Sequence, residues 1–360
     1  MKVVTLLVVL VFIPAAALST TYLVNPEGTG DYPTIQAAVD SAQAGDIIEL
    51  TDGLFAGEGN RDVDFLGKAV TVRSQSGDPE ACVITCGYLG RGFFFHSGED
   101  LSSVLNGLTV AYGYEQYGAA IRCLNSSPTI ANCILRDNHA ISLGGAIMFH
   151  DSSAEITGCI FRDNVAAGGG ALNYDGTDAL FSNCTFIGNE APVGGAIHVE
   201  DQSDCVFAGC TLYANTSSIG SGIYSDGAHL SLHNCIIAYG QGGGAVAYYS
   251  TSSFTITCCD IYGNLDADWV GLGEHLGILG NICEDPFFCD ADNGDLTLHA
   301  GSPCAPFTPP NEGCELIGAW LVACDDISSV PECDDHESQA WHGVPVSWGR
   351  IKGMFREDVD

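Results

Sequence analysis

Four residues recur at one position in successive repeats: His150, Asp175, Glu200 and Asp226 each stand four residues past the third member of a glycine-rich motif. If the repeats stack as strands, these side chains come ~5 Å apart between neighbouring coils and ~10 Å apart across two coils. Those separations bracket the ~5 to ~9.5 Å over which two carboxyl groups cooperate in cleaving a glycosidic bond. A divalent cation could bridge the same oxygens. Two residues upstream, Asn173, His198 and Tyr224 form a second outward column suited to meeting a sugar. The candidate catalytic residues are therefore Asp175, Glu200, Asp226 and His198, and the candidate ligand-binding residues Asn173, His198 and Tyr224. Turn chemistry competes with catalysis and carries more weight. Asp175-Gly176 and Asp226-Gly227 are ordinary turn dipeptides, and aspartate is common where strands end.

Two further constellations invite chemistry. "DADNGD" at 290–295 places Asp290, Asp292 and Asp295 in partial match to a calcium loop. Its glycine falls one place early and Gly301 occupies the position of the closing glutamate, so a turn is the stronger expectation. Arg136 and Arg162 share one column, with Asp137 and Asp163 beside them. An arginine can act as the base of a β-elimination, but with so few basic residues in the chain a ladder of surface ion pairs is the expectation.

The elements that must position these residues follow from a repeat. Cys133, Cys159, Cys184, Cys210, Cys235 and Cys259 are spaced by 26, 25, 26, 25 and 24 residues. Asn138, Asn164, Asn189, Asn215 and Asn264 follow in phase, with Gly240 in the one gap, and the glycine motifs from "GAAI" at 118–121 to "GGAV" at 243–246 keep the same period. Three residues before each cysteine, and two after it, an apolar residue stands in every coil. Both can face one interior only if the chain bends between them. Asn132, Gly158, Asn183, Gly209 and Asn234, immediately before the cysteines, are the residue types that tolerate a left-handed bend. The third apolar column, from Ile121 to Val246, closes each glycine motif. Three short strands per coil, stacked in parallel, make an all-β solenoid: a right-handed parallel β-helix of about ten coils of about 25 residues. In it the cysteine is a small inward hydrophobe rather than a metal ligand or a disulfide partner, and the asparagine stacks in a turn where its amide can bond its neighbours.

The pairing of "GGA" plus Ile or Leu with Phe-x-x-Asn, as in "FRDN" at 161–164 and "FIGN" at 186–189, resembles the repeat of polymorphic outer-membrane proteins. More broadly it is similar to the right-handed β-helix, or pectin-lyase-like, superfamily. "DYPTIQAAVDSAQAGDIIEL" at 31–50 resembles the capping segment of such proteins, with Thr34 placed as N-cap of a short helix whose inner face is Ile35, Ala38, Val39 and Ala42. "DPFF", "GDLTL", "GSPC" and "IGA" between 285 and 319 resemble their closing segment. The resemblance covers roughly residues 22–324 and implies the fold. It implies no single activity, because this architecture hosts lyases, hydrolases, esterases, adhesins and scaffolds. The arginine, lysine and aspartate patterns of the characterised pectin enzymes are not recognisable here, and too little sequence follows residue 324 for an autotransporter barrel.

The whole chain bounds the rest. Residues 1–19 carry Lys2, an apolar run and small residues before a cleavage site, the pattern of a secretory signal peptide, and no other stretch is long and apolar enough to span a bilayer. Eleven basic residues against 45 acidic ones give a net charge of −34. That field disfavours nucleic acid and anionic lipid and favours divalent cations. No organic cofactor is expected; calcium is the one inorganic partner the acidity suggests. The β-helix with its caps is expected over 20–324, with repeats clearest at 104–264 and a carboxyl cap at 283–324. An acidic linker and a short basic tail occupy 325–360. Seventeen cysteines is an odd number, and those outside the ladder (Cys82, Cys86 and six from Cys283 to Cys333) are available to staple the carboxyl cap. Two functions fit a secreted or cell-surface chain of this kind. The first is a non-catalytic, glycan-binding or adhesive protein, favoured by short uniform turns. The alternative is a polysaccharide lyase or glycoside hydrolase using the acidic column.

Overall fold

The chain coils because the residue before each ladder cysteine takes a left-handed backbone. Asn132, Gly158, Asn183, Gly209 and Asn234 have φ between 52° and 62°, which asparagine and glycine adopt at little cost. In one representative coil the strand Thr129–Ala131 leads through this bend into Ile134–Arg136, and the glycine motif then delivers Ile147–His150. Stacked coils build three parallel sheets of ten, nine and eight strands, each following sequence order along the axis. The computed structural model describes residues 19–324 except 177, 201, 202, 250, 251 and 270. The expected leader up to residue 18, Cys333 and the whole tail 325–360 lie outside the described residues.

The coil count slightly exceeds the ten expected. The first sheet holds ten strands, and beyond its last strand, Ser253–Thr257, the chain makes a further turn that bridges Asp260 to Ile282. That turn lacks the glycine motif, so the repeat does not announce it.

The apolar columns fill the interior. Ile130, Ile156, Phe181, Phe207, Leu232 and Ile256 are buried, as are Leu135, Phe161, Phe186, Leu212, Ile237 and Ile261. Because coils rise by about one ring thickness plus contact distance, aromatic rings in one column stack face to face: Phe161 on Phe186 and Phe181 on Phe207, both at 4.7 Å. Burial of each such side chain stabilises the fold by about 1.5–3 kcal/mol. Cys133, Cys159, Cys184, Cys210 and Cys235 are buried and unpaired. The Cys133 thiol donates to Ala131 O of its own coil, and the other four donate to carbonyls of the coil before, as from Cys184 to Ile156 O at 3.6 Å and from Cys235 to Phe207 O at 3.4 Å. The ladder is therefore packing.

The asparagines form a continuous buried amide ladder. Asn138, Asn164 and Asn189 each donate from Nδ2 to the Oδ1 of the next asparagine at 3.0 Å, ending on Asn215. Each Oδ1 also accepts the backbone N–H of the asparagine before it. Gly240 interrupts the row because Ser221 takes the space: a Cβ on Gly240 would stand 2.1 Å from Ser221 Oγ.

Both ends are closed. The helix Ile35–Ser41, capped by Thr34 Oγ1 accepting the Ala37 N–H at 3.2 Å, lays Ile35, Ala38 and Val39 over the first coils. At the other end, disulfides Cys258–Cys314 and Cys289–Cys324 pin the cap. Cys258 sits beside the ladder, outside the set the sequence offered for stapling, while Cys82 and Cys86 stay free and buried. Residues 316–320 then run back across the outer face of the second sheet. Gly318 donates to Asn234 O, Ala319 to Thr211 Oγ1 and the Trp320 indole to Thr185 Oγ1.

Asp260 is buried under this cap. It accepts from the Cys304 thiol at 3.1 Å and the Glu284 N–H at 3.1 Å, with the Glu284 and Asp285 carboxylates nearby. Burial raises its pKa to about 7. A folded-state value above the unfolded one favours the protonated native state. The contribution of Asp260 is thus fully present below about pH 4 and is lost as pH rises through about 7. Thermal melts between pH 5 and 8 should show wild type losing stability relative to Asp260→Asn as pH increases. A constant difference would show that Asp260 does not titrate there.

Candidate functional site

The third sheet carries the candidate residues. Its strands Ile147–His150, Leu172–Asp175, Ile197–Glu200 and Ile223–Asp226 are register partners in that order, so His150, Asp175, Glu200 and Asp226 form one row and Met148, Asn173, His198 and Tyr224 another. Phe149, Tyr174, Val199 and Ser225, which alternate with them, are buried in the interior. Both rows therefore face outward, as the spacing predicted.

The second row does not face open solvent, because the glycine motif folds the chain back on itself. Gly169 has φ 61°, and a Cβ there would meet the Leu172 carbonyl oxygen at 1.9 Å. The segment that leads into the motif lies over the row. A Cβ on Gly168 would stand 3.0 Å from His198 Nδ1 and 2.8 Å from Leu143 Cδ2. In consequence Asn173 has no exposed surface and the His198 side chain is only 13% exposed. Asn173 thus cannot meet a sugar directly, which corrects its assignment as a ligand contact. Its Nδ2 instead donates to Glu200 Oε1 at 2.9 Å.

Glu200 is the centre of this arrangement. The oxygen that accepts from Asn173 also lies 3.3 Å from His198 Nδ1, though outside hydrogen-bonding geometry. His198 Nδ1 and Asn173 Oδ1 are both buried without a hydrogen-bond partner. Burial lowers the His198 pKa against the opposing pull of the Glu200 and Asp226 carboxylates, which favours the neutral ring. Tyr224 sets its ring edge-on to that imidazole at 5.0 Å, and its phenol is shifted upward, chiefly by desolvation and then by Asp226. One coil back, His150 Nδ1 and Asp175 Oδ2 are 2.6 Å apart, and His150 Nε2 lies 3.6 Å from Asp151. Asp226 is exposed at the end of the row.

Buried polar atoms without partners are uncommon, and two of them stand beside this one oriented carboxylate. Chemically, the rows offer a fixed carboxylate (Glu200), a largely buried imidazole (His198), and a second carboxylate already paired with a histidine (Asp175 with His150). The outward row also continues beyond the residues the sequence singled out: Arg122 pairs in register with Met148 on one side and Phe94 on the other. Each of these follows the third apolar column by one position, a signal that extending the phase would have exposed.

The other constellations act locally. Asp290 and Asp295 are register partners across the antiparallel pair Phe288–Asp290 and Asp295–His299, with Asp292 in the short turn between. Asp290 accepts from Asn293, and Asp295 from the Thr297 N–H and hydroxyl. These carboxylates cap their own turn. Among the described residues no group of three His, Cys, Asp or Glu is arranged to hold a metal ion. Arg136 pairs with Asp137 at 2.8 Å and lies over the Tyr112 ring, while Arg162 reaches Glu80 at 3.8 Å. No helix among the described residues is long and apolar enough to cross a membrane.

A family model described as "Right handed beta helix region" matches residues 169–285, and the fold is a right-handed parallel β-helix. No curated protein matches the chain. Among solved structures, it is similar to a pectin methylesterase from carrot, with 10% identity over 67% of this chain and 89% of that one and a TM-score of 0.40. It is also similar to the pectate lyase Pel9A, with 13% identity over 85% of this chain and 98% of that one and a TM-score of 0.44. At these levels the likenesses assign no role to any residue.

Proposed function

We propose that this β-helix acts on an extracellular polysaccharide as a glycoside hydrolase, with Glu200 as general acid and base and Asp175 as the opposing carboxylate. The observation that carries this reading is the fixing of Glu200 by the buried Asn173 amide, beside a histidine whose neutral form burial favours. A solvated surface ladder has no need of either. Asp175 and Glu200 are register partners on adjacent strands, ~4.8 Å apart at the backbone, which suits the ~5 Å pairing of retaining enzymes. In that chemistry Glu200 gives its proton to the glycosidic oxygen as the carbon–oxygen bond breaks and Asp175 bonds to the anomeric carbon. Ionised Glu200 then takes a proton from the water that releases the sugar. His150 Nδ1, 2.6 Å from Asp175 Oδ2, holds that carboxylate in place. The outward rows cross the strands, so an extended chain lying along the axis meets several coils at once. Export, as the first 19 residues suggest, places the protein where such polymers are found.

The second reading is glycan binding without turnover. The open position of Asp226 and the partial exposure of His150 favour it, because the row ends on a surface without a deep enclosure. A polysaccharide panel separates the two, with the full chain assayed for both binding and depolymerisation, in calcium and in chelator. Release of reducing ends from one polymer class is the expected result. Binding with no cleavage over days would leave the adhesive reading, and a chain that neither binds nor cleaves would defeat both.

A further inference from the structure

With 11 basic residues against 45 acidic ones, each arginine's partner is informative. Among the described residues, Arg61, Arg73, Arg91, Arg136 and Arg162 each have a carboxylate within 4 Å. Arg122 has none. Its guanidinium lies over the rings of Phe94 and Tyr117, at 5.6 and 5.3 Å, and its Nε is buried without a hydrogen-bond partner. The Phe94 ring also carries Arg91 at 5.0 Å, and Arg91 takes the nearby carboxylate, Glu115, at 3.2 Å. Two guanidiniums therefore share one aromatic ring; Glu115 pairs with Arg91 alone, and Asp62, which accepts the Arg91 N–H at 3.0 Å, is paired with Arg61 at 3.7 Å. The cluster holds a positive charge in excess, partly shielded from water, on a protein of net charge −34. A desolvated charge without a partner is costly, although the aromatic faces offset part of that cost. An anion that completes the cluster would remove the rest.

We propose that Arg122, flanked by Phe94, Tyr117 and Met148, is a subsite for an anionic substituent on the polysaccharide, a carboxylate or a sulfate ester. This inference rests on the hydrolase reading of Glu200 and specifies its substrate as an acidic glycan. The register supports the link. Arg122 and His198 lie three strand steps, or about 14 Å, apart in register, and because Met148 and Asn173 between them are buried, a bound chain spans that distance above them. An oligosaccharide, not a single sugar, is needed to reach from the subsite to Glu200. Guanidinium suits the task because its planar fork can take two oxygens of one anion.

The test is a titration of the full chain labelled with nitrogen-15 at arginine, following the Arg122 Nε–H resonance. That resonance is identified by its loss in Arg122→Gln. It should shift saturably with a carboxylated or a sulfated oligosaccharide and stay fixed with the neutral parent; whichever anion acts at lower concentration identifies the natural substituent. Arg122→Gln should weaken the anionic oligosaccharide by about 10- to 100-fold and leave the neutral one unchanged. No shift with either anion at low salt, or equal affinity in Arg122→Gln, overturns the subsite. Cleavage that depends on Glu200 in a protein whose Arg122 does not respond defeats this inference alone. Anion binding at Arg122 in a protein whose Glu200 can be replaced without loss of turnover defeats the hydrolase reading alone.

Discussion

Replacing Asn189 by leucine should destabilise the fold by about 4 kcal/mol, because four buried hydrogen bonds are lost at once. Asn189 Oδ1 accepts from the Asn164 N–H and Nδ2, and its own Nδ2 donates to Phe161 O and Asn215 Oδ1. Leucine supplies none of these bonds. The neighbouring coils cannot move to find water, since Asn164 and Asn189 are entirely buried and Asn215 nearly so. A lower denaturant midpoint at unchanged slope is the expected observation. Asn189→Asp refines the test. Its carboxylate can accept from Asn164 but cannot donate to Phe161 O or Asn215 Oδ1, and its buried site favours the protonated form. A folded pKa raised in this way makes the variant least destabilised in acid, with further loss as pH rises through that value. Wild-type midpoints for the leucine variant would mean that the amide ladder does not stabilise the stack. Nature's own interruption, at Gly240, is consistent with the cost, because there Ser221 fills the place of the missing amide.

The second large effect concerns chemistry. Glu200→Gln should reduce polysaccharide cleavage by about 10²–10⁴-fold, the usual contribution of a positioned acid and base. Affinity for the oligosaccharide should hardly change. The substitution keeps the carbonyl oxygen that accepts from Asn173 and removes only the proton chemistry, so the folded site is preserved. A drop in kcat with KM unchanged is the expected pattern. Unaltered turnover would show that Glu200 merely satisfies the Asn173 amide, and the acid would then have to be sought elsewhere in the row.

Much of this architecture was legible in the sequence for one physical reason. In a parallel stack each coil repeats the environment of the coil before, so a rule obeyed at Asn132 is obeyed again at Asn183 and Asn234. Bends, inward columns, the asparagine ladder and the register of Asp175 with Glu200 all follow from that period. The capping helix was legible too, since Thr34 and the apolar spacing from Ile35 to Val39 are local signals.

What the period could not show is how deeply each outward residue is covered. Asn173, His198 and Tyr224 are equivalent by phase, yet the first is fully buried, the second keeps only 13% of its side chain exposed beneath the fold-back at Gly168, and the third stays partly exposed. That difference decides which side chain can touch a ligand and which can only position one. Nor does spacing reveal a missing partner: Arg122 reads like any other strand arginine until the carboxylates around it are located. The carboxyl cap is further still from prediction, with Trp320 bonded to Thr185 across 135 residues and Cys258 joined to Cys314 across 56. Sequence alone determined the coil, because coil geometry is set by near neighbours and repeats. Only tertiary structure decided exposure, protonation and pairing, because these depend on residues that the chain brings together from unrelated positions.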